Sequence, residues 1–99
     1  MKNEMKEKVI LVGCQLEEDD LRFQYSLAEL EELTETAQGQ VVAALTQKRD
    51  RVHPGTYIGK GKVEELVMLE EQFEPDIIIF NDELSPSQIR NLSKDLHAR

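Results

Sequence analysis

Ile77-Ile78-Ile79-Phe80-Asn81-Asp82-Glu83-Leu84-Ser85-Pro86-Ser87-Gln88 carries the pattern that decides the fold. Its first four residues are all apolar and three are β-branched, which suits a strand covered on both faces, the habit of parallel sheets. Asn81 to Leu84 turn away from that strand. Serine, proline and glutamine then stand at the N-cap, N1 and N3 positions of a helix. Ile89, Leu92 and Leu96 continue at helical spacing and supply its inner stripe. A strand handing directly to a helix is the repeating unit of an α/β sheet.

The same unit recurs upstream. Val63, Leu66, Val67, Leu69 and Phe73 mark a helix that Pro75 prevents from continuing. Val41-Val42-Ala43-Ala44-Leu45 is a second buried-strand run, and Val9-Ile10-Leu11-Val12, bounded by Gly13, is a third. Between those two, Ser26-Leu27-Ala28-Glu29 has the form of a capping box, with Tyr25 and Leu30 placed for a hydrophobic staple. Leu27, Leu30, Leu33, Thr34 and Ala37 follow at helical spacing and Gly39 fits the C′ position, so the spacing predicts a helix over 26–38. Glu29, Glu31, Glu32 and Glu35 would make its outer face acidic, and Glu17-Glu18-Asp19-Asp20 before it reads as a solvated acidic loop.

The order β-α-β-α-β-α predicts an α/β fold: a small parallel sheet with right-handed crossovers, in two or three layers. Residues 1–8 alternate charge without apolar periodicity and read as a flexible tail, leaving 9–99 as one domain. The pattern closes on a helix with no strand after it, so the domain reads as C-terminally truncated, its fourth strand missing. A sheet edge left free in this way invites pairing with a second copy of the chain.

Composition narrows the function classes. The chain has 99 residues, is 39% apolar and 32% charged, and contains no tryptophan, an ordinary globular balance. No run approaches a membrane span, and the N-terminus lacks the apolar core of a signal peptide. Cys14 is the only cysteine, so no internal disulfide forms and a cytoplasmic location is expected. A net charge of −8 argues against non-specific binding of nucleic acid by the whole surface. Any contact with a polyanion must therefore be local.

One place offers it. Lys48-Arg49-Asp50-Arg51-Val52-His53-Pro54-Gly55-Thr56-Tyr57-Ile58-Gly59-Lys60-Gly61-Lys62 carries a formal +4, against −12 for the rest of the chain, and holds three of the five glycines. It is no Walker A loop, because Gly55 to Lys60 has one residue too few between its glycines and a glycine follows Lys60 where a hydroxyl is required. The dinucleotide fingerprint fails as well, since Glu64 stands where the third glycine belongs. What survives is a basic, glycine-punctuated loop before a helix N-terminus, suited to anions or nucleic acid. The competing reading is a solvated loop whose glycines only permit tight turning. Tyr57 and Ile58 suit either stacking on a base or anchoring the loop in the core.

Other sites carry less. Cys14 reads as a small buried residue rather than a nucleophile. His53 and His97 lack companions spaced for a metal. Asn81, Asp82 and Glu83 lie at the carboxyl end of a strand, where open sheets bind ligands, and also make a plain polar turn. No catalytic grouping assembles.

Two stretches, 46–62 and 80–92, resemble in order and spacing the two signatures of the N-terminal domain of HflX-type GTPases, and the resemblance covers residues 8–99. It implies a module of a cytoplasmic, ribosome-associated GTPase that binds the large subunit and splits or rescues stalled ribosomes. In that family the domain is followed by a helical hairpin and a GTP-binding domain, whose GTP and magnesium no residue here is placed to hold. What the resemblance implies for this chain is contact with ribosomal RNA through Lys48, Arg49, Arg51, Lys60 and Lys62. It also implies two alternatives. One is adenine-nucleotide binding or hydrolysis by this domain, at Gly59, Gly61, Asn81, Asp82 and Glu83. The other is a regulatory domain that packs on the GTPase domain.

Overall fold

A computed structural model describes residues 6–17 and 19–96. Its elements run β1 (Glu7–Gln15), α1 (Asp20–Thr36), β2 (Gly39–Lys48), α2 (Lys60–Phe73), β3 (Ile77–Phe80) and α3 (Pro86–Ser93). The three strands form one parallel sheet in the order β2-β1-β3, as the strand–helix alternation predicts. The step from β1 to β2 and the step from β2 to β3 run in opposite directions across the sheet. Right-handed crossovers then place α1 on one face and α2 on the other.

Side chains agree with that layering. Gly13 of β1 lies against Phe23 and Leu27 of α1. On the opposite face Ile10, Val12 and Cys14 join Val63 and Leu66 of α2, Leu92 of α3, and Leu96 just beyond it, in the main core. Ile10, Val12 and Leu66 are fully buried. The molecule is therefore three-layered, with β1 central and β2 and β3 as edges. Beside β3 lies an apolar cleft lined by Ile78, Phe80, Leu84, Ile89, Leu92 and Leu96.

The helix between β1 and β2 differs from its expected limits at both ends. It begins at Asp20, with Asp19 as N-cap, whose carboxylate accepts from Arg22 N–H at 2.8 Å. Of the acids read as a loop, Asp19 and Asp20 are thus the cap and first turn, where carboxylates satisfy free amides and the helix dipole favours them, while Glu17 stays in an exposed bend; Glu18 lies outside the described residues. Ser26 is interior to the helix and accepts from the Asn81 side chain at 3.2 Å. Tyr25 is 73% exposed, so no staple forms. At the other end Gln38, with φ 75°, takes the left-handed position, and Gly39 opens β2.

Strand lengths shift too. β1 begins at Glu7, inside the stretch read as a tail, and runs through Gly13 to Gln15; residues 1–5 lie outside the described part. Lys48 is the last residue of β2 rather than the first of the loop. By contrast the Ser85–Gln88 capping box is present as expected, with both reciprocal bonds formed. His97 lies outside the described residues.

Gly13 is where β1 and α1 meet most tightly. A Cβ there would stand 3.0 Å from Phe23 Cζ and 3.2 Å from Leu27 Cδ2. Gly13→Val is therefore expected to destabilise by about 1–3 kcal/mol through overpacking. A Cβ on Gly61 would meet nothing within 4 Å, so Gly61→Ala is expected to change stability in the opposite direction. Urea midpoints at constant m check both.

Candidate functional site

Residues 49–59 connect β2 to α2 across the carboxyl end of the sheet. His53 and Tyr57 exchange both backbone hydrogen bonds, at 3.0 and 2.8 Å, closing a tight loop. His53 Nδ1 accepts from the amides of Gly55 and Thr56 at 3.0 and 3.3 Å, so that nitrogen carries no proton. Tyr57 stands at φ 71°, the left-handed region that a bulky residue adopts only when its surroundings impose it.

The surroundings are plain. Tyr57 is 1% exposed. Its hydroxyl accepts from Cys14 N–H at 3.1 Å and donates to Asp82 Oδ2 at 2.5 Å. Its ring meets the Phe80 ring edge-on at 5.5 Å, a favourable aromatic geometry. Burial, then the bond to the Asp82 carboxylate, push the phenol far above its ordinary pKa. Ile58 beside it is fully buried. Of the two roles open to this pair, the structure gives anchoring.

That anchor occupies a particular place. In the order β2-β1-β3, the connections leaving β1 and β3 depart to opposite faces, and open sheets bind ligands at the carboxyl ends of such a pair. Tyr57 fills this crevice, between Cys14 on β1 and Asp82 after β3. The nucleotide candidates are correspondingly occupied elsewhere. The Gly59 amide donates to Gln47 Oε1 at 2.8 Å, and its missing Cβ leaves room for the side chains of Arg49 and Gln47, while a Cβ on Gly61 would meet nothing. Asn81 donates its backbone amide to Val12 O at 2.8 Å and its side chain to Ser26. Glu83 is exposed.

The five basic residues divide in two. Lys48 lies 3.7 Å from Asp20, whose carboxyl is held below its usual range by the Gln15 amide first and by Lys48 next. Lys62 lies 3.2 Å from Glu65. These are solvent-exposed pairs that add little to stability, but they lower the charge offered outward. Among the described residues Arg49, Arg51 and Lys60 form no such ion pair. Arg49 donates through Nε to Arg51 O at 3.0 Å, and its Nη1 would lie 2.8 Å from a Cβ on Gly59. It therefore lies over the start of α2, which Gly59 caps without a side-chain bond, leaving first-turn amides available to an anion. Lys48, Arg49, Asp50 and Arg51 line a shallow hollow on the same rim.

Two side chains of α3, Gln88 in a role beyond its expected cap and Asn91 with no role assigned from the sequence, fasten the loop backbone. Gln88 Nε2 donates to His53 O at 2.9 Å, and Asn91 Nδ2 donates to Gly55 O at 3.0 Å. Together with the Tyr57–Asp82 bond, these tie stretch 46–62 to stretch 80–92. Gln88 serves twice, since its Oε1 also closes the capping box on Ser85 N–H. A signal lay in the sequence: glutamine rather than glutamate at N3 keeps an amide donor for a second partner. Among the described residues no cluster of three or more His, Cys, Asp or Glu is placed to hold a metal ion. No helix there is long and apolar enough to cross a membrane.

Residues 24–99 match the family described as GTP-binding GTPase N-terminal. The chain is 59% identical over 86 residues to a GTPase HflX of Alkalihalophilus pseudofirmus, covering 87% of the chain and 20% of that protein. It is 44% identical over 97 residues to a GTPase HflX of Lacrimispora saccharolytica, covering 97% and 22%. A GTPase HflX of Thermococcus kodakarensis is 45% identical over 75 residues, covering 76% and 17%. The chain thus spans about a fifth of the length of the first two of these relatives.

Proposed function

Because the chain belongs to the N-terminal domain family of the HflX GTPases, we propose that it is a non-catalytic module that docks a GTPase on the large ribosomal subunit. The observation that supports this is the rim itself. A chain of net charge −8 sets Arg49 and Arg51, on a loop tied down at His53 and Gly55, beside Lys60 at the start of α2. A local cation cluster on an acidic body selects one orientation toward a polyanion and repels the others. GTP and magnesium belong to another part of the full-length protein, and ribosome splitting or rescue in the cytoplasm is the activity this docking serves. Adenine nucleotide at the Gly59 turn and the strand end would have to share Asp82 with the Tyr57 hydroxyl and the Gly59 amide with Gln47.

Co-sedimentation of the chain with purified large subunits tests the docking. Three phosphate contacts give an expected slope of about −2.7 for log affinity against log salt. Binding should be evident at about 50 mM salt and fall more than tenfold by about 200 mM. No pelleting at the lower concentration would contradict the proposal.

A further inference from the structure

Accepting the loop as an RNA contact, we infer that it recognises paired, helical RNA through its phosphates and does not bind unpaired bases. Proteins that hold single strands stack bases on aromatic side chains, each stack contributing about 1–3 kcal/mol. The loop's one aromatic side chain that could do this is Tyr57, and it is 1% exposed, with its hydroxyl tied to Cys14 N–H and Asp82. The His53 ring is half-buried and holds two backbone amides. Tyr25 is 73% exposed, but it sits on α1 among Glu29, Glu31, Glu32 and Glu35, a helix face that repels a polyanion.

What the rim does present is point charge carried on a well-anchored backbone. Arg49 is held by Arg51 O, Lys60 begins α2, and the loop between them is fastened by Gln88 and Asn91. Cations spaced by an anchored backbone are matched by phosphates that are already at fixed spacing, as in an A-form helix read by shape across its backbone. A flexible single strand would have to be ordered on the rim with no exposed aromatic ring to stack on and with the Arg49 guanidinium already tied to Arg51 O, so little would offset the entropy.

Fluorescence anisotropy of the 99-residue chain with two labelled RNAs tests this: a hairpin of about 16 base pairs and a polyuridine strand of equal nucleotide count. The expected result is affinity for the hairpin tighter by about tenfold or more at low salt, the equivalent of one missing base stack, reduced by Arg51→Ala. Equal or tighter binding of polyuridine overturns the inference while leaving RNA contact intact. Binding of neither RNA overturns the inference together with the RNA reading it rests on.

Discussion

Tyr57→Ala is expected to remove about 3–5 kcal/mol of stability, the cost of deleting a buried aromatic ring. A domain of this size is stable by only about 5–15 kcal/mol, so this variant should stand near the edge of unfolding. Tyr57→Phe keeps the ring against Phe80 but withdraws the acceptor from Cys14 N–H and the donor from Asp82. Its expected cost is about 1–3 kcal/mol. The two variants separate packing from the hydroxyl latch.

The latch also has a pH signature. The folded phenol pKa is raised, so the folded state keeps its proton where the unfolded state releases it. Its contribution is fully present below the unfolded value of about 10 and is lost as pH rises beyond it, by about 1.4 kcal/mol per unit. Urea denaturation at pH 7 and above pH 10 should show the wild-type advantage over Tyr57→Phe shrinking. An advantage that grows with pH would contradict the latch.

The second large effect concerns charge. Arg49→Glu, Arg51→Glu and Lys60→Glu together are expected to weaken binding to large ribosomal subunits by about three orders of magnitude, at roughly 1.5 kcal/mol for each charge-assisted hydrogen bond to phosphate removed. Lys48→Glu with Lys62→Glu should cost less, because Asp20 and Glu65 already neutralise those ammonium groups within the chain. Arg49→Glu also removes the bond to Arg51 O, so circular dichroism and a urea midpoint are needed to exclude unfolding as the cause. If the pair of lysine reversals proves as damaging as the triple, the division of the five basic residues is wrong.

Much of the fold was legible because its signals are local. Ile77–Phe80, the Ser85–Gln88 box and Pro75 after α2 each declare themselves within a few residues, and their alternation implies the parallel sheet. The start of α1 misled because a carboxylate serves equally in a solvated loop and as an N-cap. Asp19 is a cap only because Phe23, one turn on, has a buried place against Gly13. Gly39 fits a helix C′ position, yet its missing Cβ answers a different need. A side-chain carbon there would stand 2.8 Å from Thr34 Cγ2.

The site was legible only in part. Its basic residues are visible as composition, but their pairing with Asp20 and Glu65 depends on rotamers and on where β2 ends. The role of Tyr57 depends on Asp82, 25 residues away, and on Cys14, 43 residues away. No local pattern distinguishes a tyrosine that anchors from one that stacks. The bonds from Gln88 and Asn91 likewise exist only once α3 lies beside the loop.

Docking through this rim is tested most directly by the affinity of the chain for purified large ribosomal subunits, measured across a salt series. Wild type would be compared with the Arg49→Glu, Arg51→Glu, Lys60→Glu variant. The expected slope is near −2.7 for wild type, by about 0.9 per phosphate neutralised, and close to zero for the variant, with residual binding at most. Equal slopes and equal affinities for the two proteins would contradict a docking role for these three cations.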